Sequence, residues 1–116
     1  MQRARDIAIG EIDELLASAA RLRADLRAKE VAYRRMARQL QRGVDIDQAM
    51  SDAGAHTARR ELTEALDEFE HSRHRTRLAV TRAGLDEGMT IGQIGRAWGF
   101  SRQLAARYAR EARGAS

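Results

Sequence analysis

Apolar residues in the first forty positions recur at alternating intervals of three and four: Ile12, Leu15, Ala19, Leu22, Leu26, then Lys29, Tyr33, Met36 and Leu40. This spacing holds one stripe on one side of an α-helix through four heptads, with Lys29 as its polar break. It predicts a helix from about residue 5 to residue 42, stopped by Gly43. At 1.5 Å per residue such a helix is about 55 Å long, more than one small core covers, so the stripe requires a partner. The pattern lapses over residues 43–55, where Asp45 or Asp47 is placed to cap a short helix through Met50 and Gly54 to end it. It resumes from about His56 to Ala83 at Leu62, Leu66, Phe69, Thr76, Val80 and Ala83, weakened where Arg73 enters the stripe. Gly84 and Gly88 are expected to bracket the next turn.

The charges suggest how the two long helices pair. Residues 27–42 hold Arg27, Lys29, Arg34, Arg35, Arg38 and Arg42 against Glu30, and the start of the second long helix holds Glu61, Glu64, Asp67, Glu68 and Glu70 against Arg59 and Arg60. An antiparallel fold-back sets these opposite charges side by side. Each exposed pair contributes only about 0.2–1 kcal/mol, so charge selects the register while apolar burial supplies the stability. Alternatively, the basic end of the first helix is a contact for a polyanion such as DNA, although the helix dipole favours cations there in any case.

The stretch Thr90–Arg110, TIGQIGRAWGFSRQLAARYAR, has a different pattern. Thr90 and Gln93 have capping-box spacing, which starts one short helix. Apolar positions fall at Ile94, Trp98, Phe100, Ala105 and Tyr108; Gly95 sits where two helices must approach, and Gly99 where a turn needs positive φ. Ser101 is a suitable N-cap for a second helix whose outer face carries Arg102, Gln103, Ala106, Arg107 and Arg110. Arginine matches guanine edges or phosphates, and glutamine matches adenine. The expectation is a helix-turn-helix that reads the major groove of double-stranded DNA. Thr90, Ser101, Arg102, Gln103, Arg107 and Arg110 are its contacts, with Arg113 and Arg82 reaching phosphates. An ordinary helical hairpin packed on Trp98, Phe100 and Tyr108 is the other reading of these residues.

Composition sharpens this picture. The 116 residues include no proline and no cysteine, and Lys29 is the only lysine among 21 basic residues. Absent prolines favour uninterrupted helices, and the alanine-rich, charged remainder suits an all-α bundle or coiled coil. Absent cysteines exclude disulfides and thiolate metal sites. Neither an apolar signal core nor a membrane-spanning stretch is readable, so a cytoplasmic protein is expected, and the arginine skew fits a bacterial or phage origin. The formal charge of +4 is uneven: residues 73–116 hold nine arginines against Asp86, Glu87 and Glu111. A basic end on a mildly acidic remainder is the footprint of a chain that meets polyphosphate at one end.

Catalysis has no support in the pattern, and no cofactor is expected. His71, His74 and Asp67 share a helix face, but nothing nearby completes a metal site. Gly92, Gly95 and Gly99 do not follow a strand as a dinucleotide loop does.

Residues 70–110, EHSRHRTRLAVTRAGLDEGMTIGQIGRAWGFSRQLAARYAR, resemble the helix-turn-helix modules of small actinobacterial or phage-type DNA-binding regulators. In those modules an Arg-bearing helix precedes a threonine-initiated helix, a turn of Gly, an aromatic or aliphatic residue and Ser, and an SRQ recognition helix. The resemblance implies a three-helix DNA-binding unit with Ser101, Arg102, Gln103, Arg107 and Arg110 toward DNA. It covers about a third of the chain, and Gly95 stands where alanine is usual. Residues 1–69 match no family in this way.

The whole chain is therefore expected to be all-α. Residues 1–69 form a long antiparallel helical hairpin or coiled coil for dimerisation, and residues 70–116 carry the helix-turn-helix. Ile12, Leu15, Leu22, Leu26, Tyr33, Met36 and Leu40 are the dimerisation residues of a homodimer or higher homo-oligomer. The leading functional expectation is a dimeric transcriptional regulator. The alternative is an adaptor or structural protein for partition, packaging or nucleoid organisation, in which residues 1–69 bind another protein and the motif is a DNA anchor or protein contact.

Overall fold

A computed structural model describes residues 2–114. Among these residues the structure is all-helical, without strand: α1 (Gln2–Gln41), α2 (Ile46–Asp52), α3 (Ala55–Asp86), α4 (Ile91–Trp98) and α5 (Arg102–Gly114). The boundaries follow local chemistry. Gly43 takes φ +86° after α1, and the Asp45 side chain accepts from Gln48 N at 2.8 Å to start α2. Gly54 takes φ +64° before α3. Gly84, expected in the turn after α3, lies inside that helix. A β-carbon there would come within 2.9 Å of Met89 Sδ, so it is the approach of the following segment that suits glycine. Gly88, at φ +93°, makes the turn.

The chain falls into two compact units, Met1–Leu16 with His71–Ser116, and Ala17–Glu70. This differs from a boundary at residue 69, because the first sixteen residues go with the C-terminal segment. The reason is visible in their contacts. Arg5 makes a two-point ion pair with Glu87, Nη2 to Oε1 at 2.5 Å and Nε to Oε2 at 2.8 Å. Glu11 pairs with Arg75 at 3.1 Å and its carbonyl accepts from the Thr76 hydroxyl at 3.1 Å. The Arg5 guanidinium holds the Glu87 carboxyl below the usual carboxylate range, mainly through their hydrogen bond.

In the unit Ala17–Glu70, the partners on α3 descend in number as those on α1 ascend: Arg21 with Glu68, then Lys29 with Glu61 at 3.8 Å. Lys29 occupies a buried position, 8% exposed, and donates to Asp25 Oδ1 at 2.9 Å. That hydrogen bond holds its ammonium pKa above the ordinary lysine value against the opposing effect of burial. On α2, Ala49 is fully buried.

The least accessible line of α1 differs from the expected stripe. In this unit it runs through Ser18, Leu22, Asp25, Lys29, Ala32, Met36 and Gln39, again at intervals of four and three. Leu22, Lys29 and Met36 belong to both lines. Of the other members of the expected stripe in this unit, Ala19 is half-buried while Leu26, Tyr33 and Leu40 are 43%, 52% and 40% exposed. The corresponding line of α3 is Ala58, Leu62, Ala65 and Phe69. Small residues on both lines permit close helix packing, where larger side chains would hold axes apart. The cost is polar burial: Ser18 Oγ, Asp25 Oδ2 and Gln39 Oε1 have no hydrogen-bond partner.

Candidate nucleic-acid interface

The segment from Thr90 onward is built from its caps. Thr90 Oγ1 accepts from Gln93 N at 3.1 Å while Gln93 Oε1 accepts from Thr90 N at 2.8 Å, which makes a capping box for α4. Gly99 ends α4 at φ +75°, a left-handed conformation that costs glycine little. Two residues later Ser101 Oγ accepts from Leu104 N at 3.1 Å and starts α5. Between the two helices a β-carbon on Gly95 would lie 3.1 Å from Ala105 Cβ.

The buried side of this pair is Ile94 and Gly95 on α4 with Ala105, Tyr108, Ala109 and Ala112 on α5. Phe100 stacks on Tyr108 with centroids 5.1 Å apart, and Trp98 on Phe100 at 5.9 Å. His74 meets Tyr108 at 5.5 Å, and the Arg77 guanidinium lies 5.4 Å from the Phe100 centroid. Trp98 is 37% exposed, so it is the outer end of this stack and not the central packing group its spacing suggests.

The opposite side of α5 presents Gln103, Arg107 and Arg110 at helical spacing of four and three, all exposed. Ser101 and Arg102 are exposed at its start and Arg113 near its end, and Thr90 is exposed at the start of α4. Arg82 is engaged within the unit: its guanidinium pairs with Asp86 at 3.2 Å and donates to the Ala112 carbonyl at 3.4 Å. It therefore satisfies a carbonyl at the end of α5.

The local acids are committed in the same way. Glu87 is held by Arg5, Asp86 by Arg82 and Glu111 by His74 at 3.0 Å. Arg96, Arg102, Arg107 and Arg110 have no ion-pair partner among the described residues and are exposed. Arg96 is not among the contacts expected from the sequence. Its position in the last turn of α4 and the absence of any acid from residues 88–110 are the signals that could have found it. The apolar spacing singles out Trp98, Phe100 and Tyr108, but the additions from α3, His74 and Arg77, carry no such signal because they lie more than twenty residues away in sequence.

Among the described residues, no three His, Cys, Asp or Glu side chains form a group that could hold a metal ion. None of the helices is long and apolar enough to cross a membrane, again among the described residues. The expected dimerisation residues divide into Leu15, Leu22 and Met36, which are half-buried, and Ile12, Leu26, Tyr33 and Leu40, which are exposed. No protein-family model, curated protein or solved structure matches the chain.

Proposed function

We propose that this chain is a DNA-binding protein that works as a dimeric transcriptional regulator, with α4 and α5 as its helix-turn-helix and α5 in the major groove. The observation that carries this reading is the set of four exposed, unpaired guanidinium groups, Arg96, Arg102, Arg107 and Arg110, on α4 and α5 together with the exposed Gln103. Charges left without protein partners while neighbouring acids already have partners are suited to phosphate oxygens and guanine edges. Gln103, one residue into α5, is suited to a bidentate contact with adenine. In this reading residues 1–69 supply the dimerisation element. A dimer doubles the contacts of a motif that alone touches too few base pairs for specificity.

The experiment is selection of preferred duplexes from a random double-stranded pool, followed by anisotropy titrations at several salt concentrations. Gln103→Ala should cost about 1–3 kcal/mol on the preferred sequence and relax discrimination at one position. Arg107→Ala and Arg110→Ala should weaken binding and flatten the salt dependence by about one unit of slope for each phosphate no longer neutralised. Equal affinity for all duplexes, governed by charge alone, would instead support a structural anchor. Absence of binding at low salt would refute both.

A further inference from the structure

The α1 segment of the unit Ala17–Glu70 carries two heptad lines that share Leu22, Lys29 and Met36. The line completed by Ser18, Asp25, Ala32 and Gln39 is the less accessible one. The line completed by Ala19, Leu26, Tyr33 and Leu40 holds the larger apolar groups, three of which are exposed. Thus the fold turns its small and polar line inward and leaves the more apolar line to solvent, the reverse of what burial favours for an isolated unit. Beside Leu26 an open groove of about 360 Å³ is lined by Ala19, Leu22, Leu26 and Phe69 together with Arg23, Arg27 and Glu30.

We infer that a second copy of this chain covers this face, with the two α1 helices antiparallel and the two-fold axis near Leu26. This deepens the dimer of the preceding section by naming its surface and direction. The order of residues about Leu26 is self-complementary. Seven positions before it stands Ala19 and seven after it Tyr33, so a two-fold rotation sets the smallest member of the line opposite the largest. Arg23 and Glu30 are one heptad apart on the same flank, and the same rotation brings each to within one residue of the other's level in the second copy, within reach of long side chains. That makes two equivalent ion pairs across an isologous contact. A parallel arrangement would set Ala19 against Ala19 and Tyr33 against Tyr33, and would place the flanks carrying Arg23 and Glu30 on opposite sides of the contact, with no ion pair between them. Residues 17–70 hold ten basic and ten acidic groups, so two copies of this unit carry no net repulsion.

The chain has no cysteine, which makes single-cysteine cross-linking of the full-length protein decisive. Leu26→Cys should form a covalent dimer under mild oxidation, because residues near the axis face their own copies. Leu40→Cys should not, since an antiparallel pair carries it far from its symmetry mate. A mixture of Ala19→Cys and Tyr33→Cys chains should cross-link to each other more than to themselves, which guards against disturbance by the Leu26 substitution. By analytical ultracentrifugation, Arg23→Glu should weaken dimerisation about tenfold, and Arg23→Glu combined with Glu30→Arg should restore it. Efficient cross-linking of Leu40→Cys to itself would overturn the antiparallel arrangement. A monomeric mass at micromolar concentration, with helical circular dichroism intact, would overturn the contact altogether. Neither readout involves DNA, so failure here and failure of DNA binding are separable.

Discussion

Gly95 and Ala105 hold α4 and α5 together at a distance that leaves almost no room for another atom. A β-carbon on Gly95 would sit 3.1 Å from that of Ala105 and 3.4 Å from the Phe100 carbonyl oxygen. Gly95→Val should therefore lower stability by about 1–3 kcal/mol through overpacking, and weaken the proposed DNA binding with it. Gly95→Ala should stay within about 1 kcal/mol of the native chain, because improved helix propensity opposes the tight contact. Urea denaturation of both variants checks this; an unchanged midpoint for Gly95→Val would contradict the close approach.

Lys29 and Asp25 form a pair whose side chains are only 10% and 17% exposed. Lys29→Met should destabilise by about 1–3 kcal/mol, because it leaves the Asp25 carboxylate, already short of a partner at Oδ2, without its cation. Adding Asp25→Leu should recover most of that loss, since a buried ion pair replaced by packed apolar groups is often neutral or better. The Lys29 pKa is raised, so the pair contributes fully at neutral pH and its contribution fades as pH climbs through the raised value. Thermal melts of the two variants and the native chain provide the comparison.

The Arg5–Glu87 pair predicts acid sensitivity of the opposite sign. Because the Glu87 pKa is lowered, its contribution is present above the ordinary carboxylate range and disappears as pH falls through the depressed value. Glu87→Gln should melt lower than the native chain at neutral pH and converge with it in acid. Arg5→Gln should show the same convergence. Parallel melting curves at every pH would exclude a role for this pair.

The aromatic stack predicts unequal costs. Phe100 is half-buried between Trp98 and Tyr108 and faces Arg77, so Phe100→Ala should cost roughly 2–4 kcal/mol. Trp98→Ala should cost less despite removing the larger ring, because Trp98 is 37% exposed and stacks at the outer end. A larger loss at Trp98 in denaturant titrations would reverse this order.

Caps and turns were legible without the fold because they depend on a few adjacent residues. The Thr90–Gln93 box, the positive φ of Gly99 and the Asp45 cap all arise within four positions of chain. The exposed side of α5 was legible for a related reason. Helical periodicity opposes Gln103, Arg107 and Arg110 to Ala105, Tyr108, Ala109 and Ala112 once the helix begins at Ser101. The engagement of Arg82 by Asp86 and Ala112 could not be read so easily, because one of its partners is thirty residues distant.

By itself, the sequence determined the helices, the caps that start α2, α4 and α5 and the periodicity of each face, because these rest on short-range backbone geometry and a period of 3.6. Tertiary structure alone decided which of two overlapping heptad lines on α1 turns inward. Both lines share Leu22, Lys29 and Met36, so periodicity cannot choose between Ser18, Asp25, Ala32 and Gln39 on one side and Ala19, Leu26, Tyr33 and Leu40 on the other. The choice follows the small residues and specific pairs that α3 offers, Ala58, Ala65 and Glu61 among them. Packing against a particular partner thereby outweighs the preference of the larger apolar groups for burial.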